Sequence, residues 1–147
     1  MFRDLREARD CGTQLRWFAE RREEAIDYLA RHGVKHGRLH EVPAWHAYPS
    51  FSVWAIESGK APGFVGWWVV CGDCPTDYVT CTGDRTPRSA VEMIEARWRE
   101  AVAFLEQDTQ HPEFVVGQRA DARKLAPLLA LRVEALRQLL ADDSLWQ

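Results

Sequence analysis

Cys71, Cys74 and Cys81 place three of the chain's four thiols within eleven residues, and His32, His36 and His40 recur at every fourth position. Both patterns could hold a metal. Cys71-x2-Cys74 has the spacing of half a structural zinc site, which takes four ligands, usually as two close pairs. No second close pair follows: Cys81 stands alone, and a fourth ligand would have to be Cys11 or a histidine. A redox reading asks for a helix N-terminus to lower the thiol pKa, whereas residues 72–76 read as a loop leading through Pro75 into a strand. Cys71 and Cys81 are therefore expected as small apolar strand residues and Cys74 as a loop residue. Gly33 and Gly37 interrupt the histidine series, which argues against one shared helical face, and solvated imidazoles are expected. No metal and no cofactor are called for.

His46 stands apart, because Trp45 and Tyr48 flank it and a strand-like run follows. If the chain folds back on itself twice, three strand ends share one edge of the sheet: the start of the first, the end of the second and the start of the third. That edge collects Trp45, His46, Tyr48, Asp73, Asp77 and Tyr78. The opposite edge collects Lys60, Asp84 and Arg85. Aromatic area combined with carboxylates suits a cation, an arginine or another donor-rich ligand. The competing reading is local: Asp73 after glycine is a turn residue, and Asp77 can bond its own neighbouring backbone. A His–Asp pair is the minimum for general-base catalysis, given hydrogen-bond reach. No nucleophile elbow, phosphate loop, dinucleotide fingerprint or His-Glu-x-x-His accompanies it. An enzyme is unsupported.

The elements that must position these groups follow from period and punctuation. Residues 13–31 read as a helix whose stripe is Leu15, Phe18, Ala19, Ile26 and Leu29, with Gly33 just past its end. No period survives from there to Pro49. Residues 51–57, 64–71 and 77–81 read as strands joined by short Gly/Pro loops, hence antiparallel hairpins. The middle strand is apolar on both parities, which predicts cover on both faces. Thr86-Pro87 starts a second helix, with threonine as N-cap and proline in the first turn. Its stripe is Val91, Ile94, Trp98, Ala101 and Leu105, and it must stop before His111-Pro112.

A last helix spans about 125–141, where Pro127 is tolerable only in the first turn. Ala126, Leu129, Val133, Leu136 and Leu140 form a short coiled-coil-like seam that could pack on its own domain or join two copies into a homodimer. The expected fold class is α+β: a small antiparallel three-stranded meander packed with helices, ending in a Leu-rich C-terminal helix. Residues 1–117 are expected as the α+β domain and 118–147 as a helical extension packed on it.

Composition bounds the function. A chain of 147 residues fits one domain that buries roughly 70% of its unfolded surface, so a core forms without disulfide or metal. A net charge of −3 supplies no basic footprint for nucleic acid. The first seven residues alternate in charge and lack an apolar signal region. The longest apolar run, 64–71, is too short to cross a bilayer. The expectation is a cytoplasmic chain with reduced thiols and no membrane partner. Seven tryptophans supply the large rigid aromatics that dominate protein-binding hot spots.

The segments Trp54-Ala55-Ile56-Glu57-Ser58, Val65-Gly66-Trp67-Trp68-Val69-Val70 and Gly72-Asp73-Cys74-Pro75-Thr76-Asp77-Tyr78 resemble a family of small bacterial proteins catalogued only as a domain of unknown function. The likeness covers about 17–117 and leaves out the Leu-rich tail. The family's Gly-Asp-x-Pro-Thr-Asp-Tyr motif does not require cysteine at its third position, so Cys74 departs from a metal-binding pattern. The resemblance implies a compact soluble domain and supplies no catalytic residues. Together these features lead to the expectation of a non-enzymatic protein-binding module, of the immunity or antitoxin type, whose partner is a basic toxin domain. The alternative is a small-molecule binder or hydrolase built on His46 and Asp73/Asp77.

Overall fold

The computed structural model describes residues 2–81, 85–115 and 121–147, with side chains from residue 12 onward. Cys11's side chain, Asp84, and the expected domain boundary at 117/118 lie outside the described residues. The chain divides into two compact units, Met1–Gly83 and Asp84–Gln147. The second helix thus groups with the C-terminal helix, whereas the sequence reading joined it to the meander.

The first unit opens with α1, Phe2–Arg31, which begins well before the expected residue 13. Gly12 and Thr13 look like a start signal, but one glycine costs only about 1 kcal/mol, and the flanking Leu, Arg, Glu and Ala favour helix. The helix ends as expected. Gly33 takes φ +66°, and the amides of Gly33 and Val34 bond back to the carbonyls of Ala30 and Leu29, the paired closure that a left-handed C′ residue permits. The buried stripe is centred on Phe18, Ala25 and Leu29, with Trp17 and Ile26 beside it. Leu15 and Ala19, expected in that stripe, are exposed. Arg22 occupies the stripe instead, because its guanidinium bonds the carbonyls of Leu39 at 3.1 Å and His40 at 3.0 Å.

The sheet is antiparallel throughout. Among the described residues it has five strands: β1 (His36–Leu39), β2 (Trp45–Ala47), β3 (Phe51–Ser58), β4 (Val65–Gly72) and β5 (Cys74–Thr80). The expected meander is β3–β4–β5. β1 and β2 both pair with the outer edge of β3, β1 toward Ile56 and Ser58, β2 toward Phe51 and Val53. Sequence periodicity missed these strands because segments of four and three residues are too short to show a period. β5 begins at Cys74 rather than at residue 77. It is an edge strand, where Pro75 removes no required donor.

One sheet face presents Trp54, Ile56, Val69 and Cys71 to α1. Alternation places Phe51, Val53, Trp68 and Val70 on the other face, and all four are buried. From Trp68 to Cys71 both parities of β4 are buried, the double cover read from its composition.

In the second unit, α2 spans Pro87–Glu106. The Thr86 hydroxyl accepts the Ser89 amide at 3.2 Å, and the Ser89 hydroxyl oxygen accepts the Thr86 amide at 2.8 Å. This reciprocal cap supports the start read from Thr86-Pro87. All five residues of the expected stripe are buried. α3 spans Ala122–Ala141, so Pro127 falls in its second turn rather than its first. Ala126, Leu129, Val133 and Leu136 are buried where α3 packs along α2. The coiled-coil-like seam is occupied within one chain, while Leu128 and Leu131 remain exposed.

Candidate functional site

Two turns meet at the end of the sheet where β2 passes into β3 and β4 into β5. The Ser50 amide bonds the Ala47 carbonyl at 2.8 Å, and the Asp73 amide bonds the Ser50 carbonyl at 2.7 Å. Gly72 sits between them at φ +143°, and a Cβ there would stand 2.4 Å from the Ser50 oxygen. Only glycine permits that approach. The Gly72-Asp73 pair therefore fixes the second turn against the first and holds Asp73 in solvent.

Tyr48 projects from the first turn, 40% exposed. Its ring meets Trp17 of α1 edge-on at 5.3 Å. Trp17 in turn carries the Arg21 guanidinium 5.8 Å above its ring. The rim thus gathers Trp17, Tyr48 and Asp73. Sequence reading did not include Trp17, although its place one residue before Phe18 on the buried stripe was the available signal.

The other expected rim residues separate by strand parity. His46 pairs with Ser52 and so belongs to the α1 face, where its ring lies 4.8 Å from Phe18. Trp45 pairs with Val53 on the opposite face, its ring 6.3 Å from Phe51. Asp77 pairs with Val70, also away from α1. It is buried, and one carboxylate oxygen accepts the Tyr78 amide at 2.8 Å, the local bond available to a turn-type side chain. Tyr78 lies on the α1 face with Tyr28 and His32, each ring 5.9 Å away. Of the six, Tyr48 and Asp73 belong to the two turns that meet at the rim. His46 and Asp77 stand on opposite faces of the sheet.

Registered pairing does align His46, Ser52 and Cys71 across β2, β3 and β4 on the α1 face. This row has the residue types of a nucleophile–base pair but not its bonding. The Ser52 hydroxyl donates to the Cys71 carbonyl at 2.9 Å and accepts the Trp54 indole N–H at 3.0 Å. The Cys71 thiol donates to the Arg21 carbonyl at 3.3 Å. Burial pushes that thiol up to about 11, so the thiolate needed for attack is scarce near neutrality. His46 Nδ1 is buried without a hydrogen-bond partner, and desolvation lowers the imidazole pKa. A base requires a proton within hydrogen-bond reach, but the Ser52 proton is given to the Cys71 carbonyl, and Asp77 lies on the opposite face, where it cannot orient the imidazole.

On the neighbouring α1 turn, Arg21 Nε and Glu24 Oε2 meet at 2.7 Å as an ion pair without hydrogen-bond alignment. Burial raises the Glu24 pKa, and the Arg21 charge opposes that rise.

The remaining metal-ligand types are dispersed. Cys74 opposes Gly72 at the rim, whereas the Cys81 amide bonds Gly66 at the far end of β4. Six residues lie between the two cysteines, roughly 23 Å of extended chain. Among the described residues, no three His, Cys, Asp or Glu side chains are grouped to hold a metal ion. No described helix is long and apolar enough to cross a membrane.

A family model described as "Domain of unknown function (DUF4826)" matches residues 12–146. The match takes in the Leu-rich tail that the sequence resemblance left out. No curated protein and no solved structure matches the chain.

Proposed function

On the premise that the chain belongs to the DUF4826 family, matched over residues 12–146, we propose that it is a non-enzymatic recognition module for a basic protein. The immunity or antitoxin type, acting in the cytoplasm on a toxin domain, is the form of partnership that its size and mild acidity suit best. The observation that carries this reading is Tyr48. It is a large aromatic left 40% exposed and braced by Trp17, on a turn hydrogen-bonded to the turn that carries Asp73. A rigid aromatic loses little conformational entropy on binding, and Asp73 supplies an acceptor for an arginine or lysine. The alternative, a small-molecule binder or hydrolase on His46 and Asp73/Asp77, has less support, because Asp77 lies across the sheet from His46.

Photocrosslinking amino acids placed at position 48, and at Leu131 on the exposed face of α3, test the proposal in cells of the native host. The expected result is an adduct to one basic protein from position 48, lost when Asp73→Lys is added, with no such adduct from position 131. Adducts from position 131 alone, or adducts between copies of the chain, would overturn it.

A further inference from the structure

At the other end of the sheet lies a cleft of about 420 Å³, lined by Gly33, Val34, Lys35, Ser58, Gly59, Lys60 and Trp67. Its volume falls in the range of small-molecule sites. Close backbone approaches shape it. A Cβ on Gly59 would stand 3.2 Å from the Lys35 carbonyl, and one on Gly66 3.1 Å from Ser58 Cα. The Ser58 amide bonds the Phe64 carbonyl at 2.8 Å, closing the loop that carries Gly59 and Lys60. The walls are thus held by main chain rather than by mobile side chains.

The polar side chains of this cleft are all donors. Lys35 and Lys60 are exposed, and neither forms an ion pair among the described residues. The Ser58 hydroxyl oxygen already accepts the amides of Lys60 at 3.2 Å and Ala61 at 3.3 Å. Both lone pairs are then engaged and its proton is left to give. The carboxylate residue on that strand, Glu57, has its Cβ and Cγ beside Gly37 and is not among the residues that line the cleft. Trp67 adds a half-buried indole, a flat surface suited to stacking. Two ammonium groups and a hydroxyl proton around an indole ask for a ligand that only accepts and that carries a planar apolar body.

We propose that this cleft binds a small planar organic anion of the aromatic carboxylate class, its carboxylate between Lys35 and Lys60 and its ring on Trp67. The site is separate from the Tyr48 rim, and either could fail without the other.

The probe is 2-naphthoate, titrated into protein carrying ¹⁵N-labelled indoles, with Trp67→Phe identifying the Trp67 signal. The expected result is a saturable shift of that signal. Charge-assisted hydrogen bonds from two exposed ammonium groups to the carboxylate make the lysine pair worth about tenfold in affinity. The K35A/K60A double variant, whose two exposed substitutions leave the other indole signals in place, is expected to bind at least tenfold more weakly. Neutral 2-naphthylmethanol is expected to bind the unaltered protein with a similar loss. No saturable shift, shifts confined to other tryptophans, or equal affinity for 2-naphthoate in the double variant would each overturn the assignment.

Discussion

The two ends of the sheet use the same materials, glycine-bearing turns beside an aromatic ring, and reach opposite results. At the Tyr48 end, Gly72 lets two turns close until their main chains touch, and the aromatic ring is pushed outward. At the Trp67 end, the glycines bring three segments near one another without filling the space between them, and the indole becomes a wall. Charge divides the same way: a solvent-facing carboxylate at the first end, two lysines at the second. A closed rim that presents an aromatic ring and a carboxylate suits a macromolecular surface, while an open cleft lined by two lysines suits a small anion. The difference lies in where the backbone approaches itself, not in the kinds of residue present.

The same substitution placed at each end breaks this comparison most directly. Gly72→Ala adds a Cβ 2.4 Å from the Ser50 oxygen at a φ of +143°. Backbone strain and overlap together are expected to cost about 3 kcal/mol or more in urea denaturation. A loss under about 1 kcal/mol would mean that the turns are not locked. Beside Gly72, the Cys71 thiol keeps its proton to about 11 in the folded state, against 9.0 for an ordinary thiol. The raised folded pKa gives a stabilisation that is complete below about pH 9 and lost as pH climbs toward 11, on the order of 2 kcal/mol. Cys71→Ala should flatten that part of the stability–pH curve, and an unchanged slope would show the thiol to be solvated.

At the far end the effect is smaller. Gly63 also has a positive φ, +88°, yet a Cβ there meets nothing within 4 Å. Gly63→Ala is therefore expected to carry strain alone, about 1 kcal/mol. If it matches Gly72→Ala, the contrast between a locked and an open end is wrong. The smallest effect belongs to His46. Its pKa is lowered by burial, so below pH 6.5 the unfolded chain takes up a proton more readily than the folded one, and stability falls with pH. His46→Gln should lessen that acid-side loss, as read from thermal melts between pH 7 and pH 5.

How much of this was legible beforehand differs from element to element. The meander, the Thr86 start and the Gly33 stop each rest on neighbours in sequence, and each was readable there. The rim was readable only in part. Tyr48 and Asp73 sit in turns whose meeting follows from hairpin connectivity. Trp45, His46 and Asp77 lie inside strands, where one residue's change of position moves a side chain to the opposite face. β2 is three residues long, so no alternation could be counted in it, and its pairing with β3 set the faces of Trp45 and His46. Arg22 shows the same limit in α1: a charged residue on the buried stripe reads as a break until the carbonyls of Leu39 and His40 are placed before it.

The sequence by itself determined the α+β class, the order of the long elements and the two helix caps, because local propensity and period act over a few residues. Tertiary structure alone decided which residues share a surface. Lys35 and Lys60 are twenty-five positions apart and come together only because β1 pairs with the last part of β3. His46 and Asp77 both border the same hairpins, yet opposite parity divides them. Local sequence encodes conformation, but cross-strand register, set by long-range pairing and burial, assigns neighbours.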